Sequence, residues 1–196
     1  ISLKEYFTLY GLLFECDNTL LKDTKKTLDL FKKQKNRNFY LSKEITGSQQ
    51  ASTAEDRRYY SGAWFEEYTY LRIKEELALQ DEDIAMSLKI YRNDLGQNDN
   101  EIDVAFMFEN TLHIIECKVS MNGYGKEPQH IIENYLYKLA SVSKDFGLIV
   151  RPYIFTLHKM DMLSEHSREN IKKRMRILGI CNIVSGKELS EQKIKF

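Results

Sequence analysis

The chain has 196 residues, with 29 Lys plus Arg against 29 Asp plus Glu, so the net charge is zero when the histidines are neutral. That length suits one domain, or one domain with a small appendage, and 42% hydrophobic residues with 30% charged ones is an ordinary soluble, globular balance. The balance excludes a strongly basic nucleic-acid binder, but not a metal nuclease, which needs acids around its ions and can still gather lysines on one face.

No apolar run reaches the ~18 residues that span a membrane, and no secretory signal is visible. Cys16, Cys117 and Cys181 are far apart and match no zinc spacing, so they are expected to be free thiols in a reducing cytoplasm. The chain begins at Ile1 and is expected to be a fragment of something longer.

In chain order, residues 1–45 read as helical, with Tyr6, Leu9, Tyr10, Leu13 and Phe14 at helical spacing. Leu28 and Phe31 lead into Lys32-Lys33-Gln34-Lys35, a solvated helix face. Residues 46–56 are small and polar and read as a linker. Residues 1–58 are therefore expected to be a helical N-terminal appendage with its linker, and residues 59–196 the main domain. There the patterns predict a helix over 62–80, strands over 84–92, 101–109 and 111–119, a helix over 129–145, and an apolar strand over 147–157. A basic helix over 164–178 is stopped by Gly179, and a short strand follows at 181–184. The order α-β-β-β-α-β-α-β implies an α/β fold, a mixed sheet with helices on its faces.

The second and third strands carry the strongest local argument. If Glu109-Asn110 is a two-residue hairpin turn, opposed residues have numbers summing to a constant: Phe108 faces Thr111, Phe106 faces His113, and Asp103 faces Glu116. Opposed side chains share a face of the sheet. Strand alternation puts Lys118 on the face of Glu116 and turns Cys117 away. Two carboxylates that close repel unless one is protonated or a cation lies between them. Magnesium or manganese, hard ions that take oxygen ligands, are the natural occupants, with Lys118 placed to polarise a water or stabilise phosphorane charge. A surface salt bridge is the alternative for any Glu-x-Lys. Here Leu112, Ile114 and Ile115 are apolar up to the acid, and charge placed at the end of a buried strand is costly to bury.

Asp103 followed by Glu116-Cys117-Lys118 at the end of an apolar strand resembles the PD-(D/E)XK motif of restriction-endonuclease-like nucleases. Ser61-Gly62-Ala63-Trp64-Phe65-Glu66-Glu67-Tyr68 resembles the Gly-x-Trp-x-Glu helix start of one branch, the nuclease domains of CRISPR ancillary effectors that carry a CARF sensor. Asn100-Glu101-Ile102-Asp103-Val104 and Tyr137-Lys138-Leu139 are similar to that branch as well. The resemblance covers about residues 60–157. It implies a restriction-endonuclease-like core and a metal-dependent endonuclease acting on DNA, RNA or both, often as a homodimer in antiviral defence. On the motif match, Asp103 and Glu116 would be metal ligands, Lys118 the catalytic lysine and Glu66 the third acid. Glu67 is the rival to Glu66, one residue and ~100° around the helix. The sensor domain, which binds a cyclic oligoadenylate in that family, is not found among these residues: either the chain is the C-terminal part of such an effector or it is a stand-alone nuclease.

Lys138 and Tyr124 are further candidates for nucleic-acid contact, by phosphate pairing and base stacking; a solvated lysine and a tyrosine that covers the sheet are the alternatives. Glu101 shares the face of Asp103. His113 falls on the opposite face, where a structural role is expected. Arg168, Lys172, Lys173, Arg174 and Arg176 could follow a nucleic-acid backbone, although a solvated outer helix explains them as well. A rival to the nuclease is a non-catalytic nucleic-acid-binding or oligomerisation module on the same fold.

Overall fold

Six consecutive buried residues, Leu112 to Cys117, require a strand covered on both sides, and the fold supplies that cover. The computed structural model describes residues 1–19, 58–92, 98–121, 127–147, 149–190, 194 and 196. Helix α1 is Leu3–Leu9 and strand β1 is Leu12–Glu15. A kinked helical turn at Tyr59–Ala63 leads into α2, Trp64–Glu76. Strands β2 (Ile84–Arg92), β3 (Asn98–Phe108) and β4 (Thr111–Lys118) follow. Helix α3 (Pro128–Ser143), β5 (Val150–Thr156), α4 (Glu165–Leu178), β6 (Asn182–Val184) and α5 (Gly186–Ser190) complete the order.

The strands form one mixed sheet in sequence order. The first four pair antiparallel; β5 joins β4, and β6 joins β5, in parallel. The expected α/β architecture is therefore present. Helix α3 shows how the sequence builds it. Pro128 opens the helix where its missing N–H costs nothing. Ile132, Leu136, Leu139 and Ala140 then recur at helical intervals and bury one stripe against Leu112, Ile114 and Ile154. Each buried leucine or isoleucine of the stripe contributes roughly 1.5–3 kcal/mol. On the other face of the sheet, Trp64, Phe65 and Tyr68 of α2 pack with Val104, Phe106, Ile115 and Phe155. Helix α4 buries only Ile171 fully and ends at Gly179 in the left-handed region, as the sequence predicts. It is an amphipathic outer helix, with Arg168, Lys172, Lys173 and Arg176 exposed.

The N-terminal expectation needs correction. The helix stops at Leu9, Gly11 turns with φ 66°, and Leu12–Glu15 extend antiparallel beside β2, with Leu12 opposite Arg92 and Glu15 opposite Lys89. Leu9, Tyr10 and Leu13, which supported a continuous helix, are exposed, whereas Phe7 is buried in the core and the Tyr6 hydroxyl donates to the carbonyl of Phe146 at 2.7 Å. A strand edge left open by β2 outweighs weak helical periodicity. Leu12–Glu15 are thus an edge strand of the sheet rather than a continuation of the helix. The calls on Leu28, Phe31, residues 32–35 and residues 46–56 lie outside the described residues. Among the described residues no helix is long and apolar enough to cross a membrane.

Candidate active site

Glu109 and Asn110 both take positive φ, 49° and 57°, the conformation a tight two-residue hairpin turn demands. The register follows from it: Phe108 pairs with Thr111, Phe106 with His113 and Val104 with Ile115. The backbone ladder ends there, one rung before Asp103 and Glu116. In place of a further rung, Asp103 Oδ2 accepts the Cys117 backbone N–H at 2.6 Å. Strand β4 stays paired to β5 on its other side through Lys118 opposite Thr156. The site is therefore built where β3 ends its pairing with β4 while β4 is still held by β5.

Glu116 is 2% exposed and Asp103 7% exposed. Lys118 Nζ lies 2.8 Å from Glu116 Oε1 and 3.4 Å from Asp103 Oδ2. Cys117 points to the opposite face, buried beside Ile115. The structure thus brings Asp103, Glu116 and Lys118 together as their alternation implies. The Lys118 contact with Glu116 Oε1 is close but poorly directed, and Oε1 makes no hydrogen bond although it is buried.

The electrostatics of these groups have clear causes. Burial pushes Asp103 up to about 7; neighbouring Glu116 adds to this, and Lys118 opposes it. Burial alone would lower the Lys118 ammonium, but the Asp103 and Glu116 carboxylates more than offset that and hold it above the usual lysine range. Burial likewise drives the Cys117 thiol well up, as expected for a group with no exposed nucleophilic role.

Glu66 comes from α2, on the other face of the sheet. Its carboxyl is raised chiefly by burial; Lys118 lowers it and the charges of Glu101 and Glu116 raise it further. It also contributes to the upward shift of Asp103. Glu66 therefore lies within electrostatic reach of the hairpin site. Glu67 is almost fully buried, and both glutamates border a small open cleft lined also by Asp17, Arg58, Met86 and Ser87.

Helix α3 completes the surroundings from the Glu116 side. Lys138 Nζ donates to Glu116 Oε2 at 2.8 Å, and Lys118 Nζ sits 5.2 Å from the ring centre of Tyr135. Tyr135 and Lys138 are three residues apart and so share a helix face. The sequence leaves Lys138 open between phosphate and solvent and does not by itself single out Tyr135; their i, i+3 spacing on the helix following the site strand is the signal that links them. Tyr124 lies outside the described residues. Glu101 is exposed. His113 is stacked between Phe106 and Tyr153 at 4.6 and 5.7 Å, and burial lowers it to about 4, so it is a neutral core residue. Arg174 pairs with Glu133 at 3.0 Å.

Two buried carboxylates that share the Lys118 ammonium form a donor set of the hard kind that magnesium and manganese take. Among the described residues no three acidic, histidine or cysteine side chains converge into a ready-made cage. Magnesium does not require one, since it keeps several waters and takes one or two protein carboxylates. Asp103 and Glu116 fit such an ion, with Glu66 nearby.

Residues 53–193, well over half of the chain, match the family model described as Card1-like, endonuclease domain. Among solved structures, the chain is similar to the crystal structure of protein VC1899 from Vibrio cholerae, with a TM-score of 0.67 at 20% sequence identity. That similarity covers 97% of this chain and 59% of the other, so this chain spans less than two thirds of its length, and at such identity the likeness shows the fold alone. No curated protein matches.

Proposed function

From the premise that this chain belongs to the Card1-like endonuclease domain family, we propose that it hydrolyses phosphodiester bonds of DNA, RNA or both at a divalent-metal site of the PD-(D/E)XK kind. Asp103 and Glu116 would hold magnesium or manganese, with Glu66 as the third acid and Lys118 as the catalytic lysine. The observation that carries this reading is the pairing of two buried carboxylates beside Lys118, one of them with an oxygen that makes no hydrogen bond. Such burial is costly unless a cation or a function offsets it.

The bound ion would lower the pKa of a coordinated water and neutralise charge on the scissile phosphate. Asp103 and Glu116 orient the site from a rigid strand pair, fixed by the tight turn and by the Cys117 N–H on Asp103. Lys118, held charged by the carboxylates, presents its ammonium where charge builds on the phosphorane. The cover of α3 over this face, with Tyr135 beside Lys118, limits water around that ammonium. Nucleic acid is the substrate expected of an endonuclease domain. A homodimer in a CRISPR-associated antiviral setting, in the cytoplasm and coupled to a cyclic-oligoadenylate sensor carried elsewhere, is the part of the proposal that rests on the family resemblance.

The test is cleavage of single- and double-stranded DNA and RNA with manganese, comparing wild type with Glu116→Ala and Lys118→Ala. Loss of cleavage in both variants supports the assignment; undiminished cleavage by both refutes it. A second reading is a non-catalytic nucleic-acid-binding or oligomerisation module on the same fold. It is favoured by one observation: Lys118 and Lys138 already neutralise Glu116. If manganese neither binds nor raises the melting temperature, that module is the better account.

A further inference from the structure

Glu116 has an ammonium on each oxygen: Lys118 Nζ at 2.8 Å from Oε1 and Lys138 Nζ at 2.8 Å from Oε2. A metal ion that takes Glu116 must displace at least one of them. The two lysines are not equally held. Lys118 extends from a strand still paired to β5 at Thr156, also reaches Asp103 Oδ2 at 3.4 Å, and lies beside the Tyr135 ring. Its side chain is 24% exposed. That of Lys138, on α3, is 40% exposed, and its ion pair is with Glu116. Four freely rotating side-chain bonds let such a lysine leave without moving the helix.

We propose that Lys138 is a built-in counter-ion of the metal-free site, a positioning residue that holds the Glu116 carboxylate in place and is displaced from Oε2 when a divalent cation binds. The inference rests on the proposed metal site. It assigns Lys138 a part that neither a solvated lysine nor a permanent salt bridge would play. In the metal-free state the ammonium offsets a charge that is 2% exposed. A buried carboxylate stripped of every partner would protonate or turn away. On metal binding the same ammonium becomes a competitor, so it weakens the apparent metal affinity. The displaced head group is left beside the ion, free to meet the anionic backbone of a substrate. Exchange of one cation for another keeps the net charge around Glu116 favourable throughout.

The test measures manganese binding at about pH 8, by counting free Mn2+ with electron paramagnetic resonance, so it does not depend on cleavage. Lys138→Met is compared with wild type, Lys138→Arg, Lys172→Met and Glu116→Gln. With the competitor removed, Lys138→Met should bind Mn2+ roughly tenfold more tightly, the scale of one unit charge close to an ion near a protein surface. Its metal-free melting temperature should fall, because Glu116 loses a partner. Lys138→Arg should stay near wild type. Lys172→Met, which removes the same charge from the exposed face of α4, should not tighten binding. Glu116→Gln should lose the site. If Lys138→Met folds poorly, Lys138→Gln carries the same comparison. Equal or weaker binding by Lys138→Met, with binding still abolished by Glu116→Gln, overturns the displacement while leaving the metal site standing. An equal gain in Lys172→Met overturns it too, as an effect of net charge. No binding by wild type or by Lys138→Met overturns both the displacement and the metal site.

Discussion

Asp103→Asn gives the account a sharp thermodynamic test, because it removes one buried charge while retaining the shape and the acceptor for the Cys117 N–H. Burial and Glu116 raise Asp103 from 3.8 to about 7. A folded-state pKa above the unfolded value means that the native state holds the proton more tightly. The stability from this group is fully present below the unfolded pKa and is lost as pH rises through the folded one, a window between 3.8 and about 7. Each unit is worth about 1.4 kcal/mol, and about two units of the window lie above pH 5. Metal-free wild type should therefore lose on the order of 3 kcal/mol between about pH 5 and about pH 8.5 through Asp103, and Asp103→Asn should not. The assay is urea unfolding of both proteins with EDTA at the two pH values, and the quantity read is the difference between their pH dependences. Near pH 5 the two should differ little; near pH 8.5 the variant should be the more stable. Parallel pH dependences, or a variant equally weakened at both pH values, would refute the reasoning.

Glu66→Gln should weaken Mn2+ binding by at least about tenfold, since even groups one step removed from a metal are worth ~10–100-fold. Glu67→Gln should leave that affinity nearly unaltered and act instead on the melting temperature, because Glu67 is buried in the α2 packing; calorimetric titration and thermal denaturation of both variants separate the two glutamates. Gly147→Ala should destabilise the fold by about 1–3 kcal/mol, for Gly147 has φ 95°, a conformation that a residue with a Cβ adopts only under strain. A melting temperature within about a degree of wild type would count against that strain.

The hairpin was legible in the sequence because two local rules coincide there: Asn110 tolerates left-handed backbone, and alternation of side chains then fixes which residues oppose. What alternation could not reveal is that the ladder gives way one rung early, with the Asp103 carboxylate accepting the Cys117 N–H. The placement of Glu66 near the hairpin was also out of reach. Helix α2 packs on the far face through Trp64, Phe65 and Tyr68, and no spacing within the helix encodes where the sheet lies beneath it. The same limit applies to Lys138 and Glu116, which are 22 residues apart and meet only after the crossover returns α3 over β4. The N-terminal segment misled for a different reason. Leu9 and Leu13 have helical spacing but face solvent, while the free edge of β2 drew Leu12–Glu15 into a strand. Tertiary pairing overrode local pattern there, and the segment at issue was only four residues long.

Anomalous diffraction from crystals soaked in manganese tests the central claim most directly. The account predicts an anomalous peak about 2.0–2.6 Å from carboxylate oxygens of both Asp103 and Glu116, with Lys118 still adjacent. Soaked crystals with no peak there, or with the ion bound elsewhere while Lys118 and Lys138 stay on Glu116, would contradict it.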